Sequence, residues 1–145
     1  MEQKVLPLSP DDTARLEKQR LWVRDHYDPS ARDRFQSVEG KLRLLETILE
    51  KGWIGRNETW ELQSLGVTFG DALAQKLGLS WIMVEDEYGR DPALEVHGTT
   101  IKIFPLTMIS KRIEEGEIVD IRDLFVETCS TLDRLKIESS GETRH

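Results

Sequence analysis

The chain contains little cysteine and histidine. Its 145 residues include one cysteine, Cys129, and three histidines, His26, His97 and His145. A single cysteine excludes an internal disulfide and any zinc cluster held by several thiolates. The histidines are far apart in the sequence, and none has a second ligand at metal-site spacing. We therefore expect no metal site, no cofactor and no catalytic residue among these side chains.

Basic residues are outnumbered as well. The sequence has 20 Lys and Arg residues against 27 Asp and Glu residues, which gives a formal net charge of −7. Nucleic-acid binding depends mainly on Lys and Arg side chains that neutralise phosphates, so this balance predicts that the chain does not bind nucleic acid. An acidic chain is better suited to a protein partner with a basic surface, or to no charged partner at all.

Long hydrophobic runs and common enzyme motifs are absent. No run approaches the roughly 18 apolar residues of a membrane span, and the start MEQKVLPLSPDD lacks the pattern of a signal peptide. We therefore expect no membrane segment and a cytoplasmic location. The stretch from Gly66 to Gly70 lacks the Lys-Ser/Thr pair of a phosphate loop, and no Gly-x-Ser-x-Gly motif occurs. The chain therefore carries neither of these two enzyme motifs, and they give no reason to expect catalysis.

Hydrophobic periodicity predicts a single domain over residues 1–137, followed by a polar, disordered tail, ESSGETRH, over residues 138–145. Apolar residues at helical spacing predict five helices, near residues 9–26, 31–50, 57–77, 106–115 and from 120. Gly66 and Gly70 lie four residues apart beside the apolar stripe of the third helix. Glycine destabilises a helix interior, so this pair predicts a close approach by the sheet or another helix.

Three strands are predicted between the third and fourth helices. Ser80–Glu85 is apolar on both faces, Ala93–Val96 follows a Tyr-Gly turn, and Thr99–Phe104 follows the His97-Gly98 turn. Short links of this kind join antiparallel neighbours. The sequence therefore predicts an α+β domain in which a three-stranded antiparallel meander is covered by about five helices.

Two stretches carry a resemblance to a known family. VEDEYGRDPAL, residues 84–94, and FPLTMISKR, residues 104–112, are similar to an uncharacterised bacterial family, domain of unknown function 3806. The similarity extends over about residues 66–125. The resemblance implies a small bacterial α+β domain. It implies no activity, cofactor or catalytic residue.

The predicted first turn is strongly acidic, with Glu85, Asp86, Glu87 and Asp91 around Arg90. Such a group could bind a hard cation or receive a basic partner. The string lacks the ligand spacing of a calcium loop, which disfavours a metal site. A solvated turn in which Arg90 bridges to a neighbouring carboxylate is the structural alternative.

The fourth helix begins with a cationic group. An anion could be held at this helix start by Thr107, Ser110, Lys111 and Arg112. Alternatively, the two cations bridge to Glu114, Glu115 or the acidic turn, and a bridge to the turn would fix the helix against the hairpin. We expect the second arrangement, in which turn and helix form one electrostatic unit and the working face.

These patterns favour a non-catalytic protein-interaction or accessory module. The alternative is a small-molecule or anion-binding domain, with or without catalysis, that uses the helix start at residues 107–112. The predicted binding residues are Glu85, Asp86, Glu87, Arg90, Thr107, Lys111 and Arg112. The sequence does not determine the oligomeric state.

Overall fold

The computed structural model describes residues 3–142 of the chain, with side chains up to residue 139. The described residues form four strands and six helices. In chain order these are β1 (Lys4–Leu6), α1 (Pro10–Arg24), a 3₁₀ helix (Pro29–Gln36), α2 (Val38–Lys51), α3 (Thr59–Leu77), β2 (Ser80–Asp86), β3 (Gly89–Glu95), β4 (Lys102–Ile103), α4 (Pro105–Glu114) and α5 (Ile121–Glu142). The α+β class is confirmed. None of the described helices combines the length and apolar character needed to cross a membrane.

The sheet has four antiparallel strands in the order β1-β2-β3-β4, and the prediction of three strands was wrong. The additional strand, β1, is only three residues long, too short to show an alternating pattern. It pairs with β2, placing Val5 opposite Val84 and Lys4 opposite Glu85. Its partner is about 80 residues away in the sequence. Local sequence reasoning therefore missed it.

The β2–β3 hairpin is longer than predicted. Asp86 lies opposite Gly89, so β3 begins at Gly89 and includes Arg90 and Pro92. Proline has no amide hydrogen to donate, which disfavours it inside a sheet. Pro92 is accommodated because β4 pairs only with Leu94 and Glu95, further along β3.

The predicted helix over residues 31–50 is divided in two. Ser37 has an extended backbone, and its hydroxyl accepts a hydrogen bond from the amide of Gly40 at 2.9 Å, which begins α2. The five predicted helices therefore become six. Helix α5 continues to Glu142, so the predicted tail of residues 138–145 is helical over its first five residues. Residues 143–145 lie outside the described residues.

Helix α3 lies at the centre of the domain. It packs against α1, α2, α4 and α5, and four members of its predicted stripe are completely buried: Leu62, Leu65, Phe69 and Leu73. Its two glycines face the sheet and α4. A Cβ atom at Gly66 would lie 2.5 Å from the carbonyl oxygen of Pro105, and one at Gly70 would lie 2.6 Å from the ring of Trp81. The predicted close approach is confirmed.

Alanine at Gly66 tests this packing. The new methyl group would meet backbone atoms of Pro105 and Leu106, which cannot rotate away. We expect a loss of about 1–3 kcal/mol in the free energy of unfolding, measured in urea, despite the better helix propensity of alanine. Lys76→Ala, at an exposed position of the same helix, is the control. A Gly66→Ala protein as stable as the wild type would contradict the packing role.

Candidate functional site

A groove separates the β2–β3 hairpin from the helices beside it. It consists of two neighbouring cavities of about 340 and 210 Å³, and both are lined by Gln63, Asp91, Pro92 and Leu106. We call this the hairpin groove. The larger cavity lies toward the start of α4 and includes Thr107. The smaller cavity lies toward α1 and α3.

The groove is partly apolar. Met83 of β2 lines the smaller cavity and Val84 lines the larger one, and both side chains are buried; Pro92 and Leu106 line both cavities and are half-buried. Phe104, at the edge of the larger cavity, is 38% exposed. Apolar surface of this kind, rimmed by polar groups, is typical of a binding surface.

The smaller cavity contains an ion pair between the hairpin and α1. The two guanidinium Nη atoms of Arg90 donate to the two carboxylate oxygens of Asp12, each at 3.1 Å. Asp12 is buried, and it also caps α1 by accepting from the amide of Ser9 at 2.9 Å. The hydrogen bonds from Arg90 are the main cause that lowers the pKa of Asp12 from 3.8 to about 2. Arg90 therefore fixes the hairpin to α1.

The predicted ion pair between Arg90 and a carboxylate of the acidic turn is therefore replaced by an ion pair with Asp12 of α1. Its ion-pair partner, Asp12, is 78 residues away in the sequence. In the sequence, Asp12 shows only the signature of a helix-start acid, and that role is confirmed by its capping box with Ser9. Nothing in the local pattern indicates its second role.

The four acids of the predicted turn have different surroundings. Asp86 lines the larger cavity, and its Oδ1 accepts from the amide of Tyr88 at 2.8 Å, which stabilises the turn. Glu85 lies on β2, opposite Lys4 of β1 on one side and Arg90 of β3 on the other. Glu87 is exposed in the turn itself. Asp91 joins Asp86 in the larger cavity, and neither carboxylate forms an ion pair with another described residue.

The predicted binding residues of α4 also lie in different places. Thr107 and Lys111 line the larger cavity, facing the carboxylates of the hairpin across it. Arg112 donates from Nη1 to the carbonyl oxygen of Met108 at 2.6 Å. Within residues 3–142, no ion pair joins Lys111 or Arg112 to the hairpin. The expected bridges between α4 and the acidic turn are not formed, although Lys111 shares their cavity.

The structure thus brings Asp86, Arg90, Thr107 and Lys111 to one groove and leaves Glu85, Glu87 and Arg112 outside its lining. Sequence reasoning missed Gln63 and Trp60, which approach the groove from α3. Both lie off the buried stripe of a central helix. No periodic signal distinguishes such groove-facing residues from ordinary surface residues.

One further polar pair lies outside the groove. The hydroxyl of Ser80 and Nε2 of His97 are 2.9 Å apart, at the end of the hairpin away from the turn. A nucleophilic serine would need an oriented histidine and a substrate cavity. No carboxylate of the described residues hydrogen-bonds His97, and neither residue lines a described cavity. This pair joins the ends of β2 and the loop after β3.

Metal ligands are not grouped in the part of the chain that the structure describes. No set of three or more His, Cys, Asp or Glu side chains is arranged to hold an ion. The thiol of Cys129 is half-buried, and burial raises its pKa, which disfavours the reactive thiolate.

Comparisons with known proteins identify a family and a fold. The family model described as "Domain of unknown function (DUF3806)" matches residues 41–125, more than half of the chain, and confirms the resemblance inferred from the sequence. The match includes the hairpin and α4 but begins after α1. No curated protein matches the chain.

A crystal structure of a protein from Bacteroides thetaiotaomicron has a similar fold. Its TM-score is 0.72 at 16% sequence identity, and the match covers 89% of this chain and 48% of that chain. The chain therefore spans about half the length of the solved protein it matches. At this identity the likeness establishes the fold alone.

The bond between Asp12 and Arg90 predicts a specific sensitivity to acid. Because the folded-state pKa of Asp12 is about 2 and its ordinary value is 3.8, the unfolded chain takes up a proton first as the pH falls. The stability that this bond contributes is complete above about pH 4 and is lost toward about pH 2. In Arg90→Gln the pKa of Asp12 rises, so we expect a smaller decrease in unfolding free energy between these pH values. Parallel pH profiles for the two proteins, measured by urea unfolding, would contradict this.

Two double-mutant cycles distinguish the ion pair that forms from the one that does not. Arg90→Ala and Asp12→Ala remove the two partners of one bond, so their effects on unfolding free energy should be coupled. Arg112→Ala and Asp86→Ala remove groups that share no bond, and their effects should add. Clear coupling in the second cycle would restore the electrostatic unit that the sequence suggested.

Proposed function

The chain belongs to the family described as domain of unknown function 3806, and we propose that it is a non-catalytic protein-interaction module for a partner with a basic surface. The proposed working face is the hairpin groove. Its acidic wall, formed by Asp86 and Asp91, would receive a Lys or Arg side chain of the partner.

One observation supports this proposal: Arg90, the cationic residue of the hairpin turn, already forms an ion pair with Asp12 inside the domain. Arg90 is held by Asp12, and Arg112 is held by the carbonyl oxygen of Met108. The carboxylates of Asp86 and Asp91 consequently remain without an ion pair among the described residues. Carboxylates without an ion pair at the edge of an apolar groove favour binding of a positively charged partner.

The rest of the groove supplies the other parts of an interaction surface. Pro92, Leu106 and the exposed part of Phe104 offer apolar area that a partner would bury. Lys111 and the half-buried amide of Gln63 add polar groups that would fix the orientation of a bound segment. An apolar centre with polar groups around it is the usual anatomy of a protein interface.

The composition of the groove supports a non-catalytic role. Its lining includes no serine, cysteine or histidine, and Thr107 is its one hydroxyl. The Thr107 hydroxyl donates to the carbonyl oxygen of Phe104 at 3.4 Å, and among the described residues no hydrogen bond joins it to a basic side chain. Nucleophilic catalysis requires a base within hydrogen-bond distance of the nucleophile.

A small anionic ligand at the start of α4 is the second candidate. Lys111 lines a cavity of about 340 Å³ and forms no ion pair with a described residue, which favours an anion there. However, Asp86 and Asp91 line the same cavity and would repel it. The Thr107 hydroxyl, which is donating to a carbonyl, has no second hydrogen to offer. The partner with a basic surface is therefore preferred.

Selection of binding peptides from a random library tests the proposed chemistry of the partner directly. A library of displayed peptides is selected on the wild-type protein, and enriched peptides are synthesised for affinity measurements. We expect enriched sequences to combine Lys or Arg with aliphatic residues. Asp86→Asn with Asp91→Asn should weaken their binding about tenfold, since two exposed ion pairs are lost. Asparagine at position 86 can still accept from the amide of Tyr88, so the turn is preserved.

The control is Glu127→Gln with Asp133→Asn on α5, which changes the net charge equally but lies outside the groove. Equal weakening by both double variants would indicate general attraction between charges. That result would overturn the assignment of a basic partner to this groove. Enrichment of acidic peptides whose binding requires Lys111 would also overturn it, and would favour the anion-binding candidate.

A further inference from the structure

A second concave surface lies beyond the other end of α4. It has a volume of about 510 Å³ and is formed by the end of α2, the following loop, the last turn of α4 and the loop that leads into α5. We call it the apolar cleft. Its walls are aliphatic: Ile48, Leu49, Ile54, Ile113, Ile118, Val119 and Ile121.

The rim of the apolar cleft is acidic. Glu46, Glu50, Glu117 and Asp120 line it, and no Lys or Arg does. Two of these carboxylates have structural partners: Glu46 accepts from Arg122 at 3.0 Å, and Asp120 accepts from the amide of Asp123 at 3.0 Å. Glu50 and Glu117 are exposed and form no ion pair with any described residue. The rim thus presents two carboxylates to a cation from outside.

Ile118 distinguishes this surface from an ordinary depression. Its side chain is 100% exposed, although it lies in the loop beside several half-buried aliphatic residues. A completely exposed isoleucine gains nothing from folding, and burying it against a partner would remove its apolar area from water. Its position next to an aliphatic cleft extends the apolar surface beyond the cavity itself.

We propose that the apolar cleft is the docking site for a basic amphipathic segment of a partner protein. The aliphatic side chains of the segment would enter between Ile54 and Ile113 and cover Ile118. Its flanking Lys or Arg side chains would lie against Glu50 and Glu117. This inference is independent of the hairpin groove, because the two surfaces share no lining residue.

Charge complementarity selects this occupant over two others. A second copy of the chain would bring a surface of the same net charge, −7, against the acidic rim, which is unfavourable. An uncharged apolar ligand would cover the carboxylates of Glu50 and Glu117 without providing a partner, and buried unpaired charges are costly. A segment that is both apolar and cationic would bury the aliphatic walls and also form ion pairs with Glu50 and Glu117.

The test uses a designed Leu/Lys peptide with helical amphipathic periodicity, labelled for fluorescence anisotropy. Two control peptides have the same leucines with Gln for Lys, or the same composition in scrambled order. We expect the amphipathic cationic peptide to bind more tightly than both controls. Glu50→Gln with Glu117→Gln should weaken its binding about tenfold. Ile118→Ser, at a position with no contact to the core, should also weaken it while the melting temperature stays unchanged.

The matched protein control is Glu127→Gln with Asp133→Asn, which removes the same charge from exposed positions of α5, outside both proposed surfaces. This variant should retain nearly the wild-type affinity for the peptide. Equal loss in both double variants would attribute binding to overall charge and overturn the assignment. Absence of binding, or equal binding of the scrambled peptide, would also overturn it. None of these results decides the role of the hairpin groove, which is tested with peptides selected separately.

Discussion

The close contact of α4 and β2 with the glycine face of α3 is the constraint on which the rest of the structure depends. The backbone at Pro105 lies against Gly66, and the ring of Trp81 lies against Gly70. The indole of Trp81 donates to Asp71 at 2.9 Å, and Asp71 also binds Arg20 of α1 at 3.0 Å. Two helices and the sheet therefore join α3 at one place. A Cβ atom at either glycine would separate them.

This contact also positions both proposed binding surfaces. Because the start of α4 is fixed on α3, Leu106 and Thr107 face the hairpin and complete the groove. The other end of α4 carries Ile113 to the apolar cleft beside α2. Arginines make the long-range connections between elements: Arg20 with Asp71, Arg90 with Asp12, and Arg122 with Glu39 and Glu46. These three cations are thus used inside the domain, and Asp86 and Asp91 form no ion pair with another described residue.

Prediction from the sequence succeeded where the signal was local. The stripe of α3, the cap at Ser9 and the two packing glycines depend on residues within a few turns of one another, and the structure has all three. It failed at β1 and at Ser37. A three-residue strand has no periodicity of its own, and the break at Ser37 depends on a hydroxyl that replaces a helical hydrogen bond.

The sequence by itself determined the α+β class, the central amphipathic helix and the acidic balance, because composition and periodicity are properties of neighbouring residues. It also singled out the acidic turn of the hairpin and the start of α4 as the expected working face. Only the tertiary structure decided which charges are paired. Arg90 lies among carboxylates in the sequence, yet it binds Asp12 on another element, while Asp86 and Asp91 form no ion pair within residues 3–142. Ion pairing depends on distances in space that chain folding sets, and sequence spacing does not encode them.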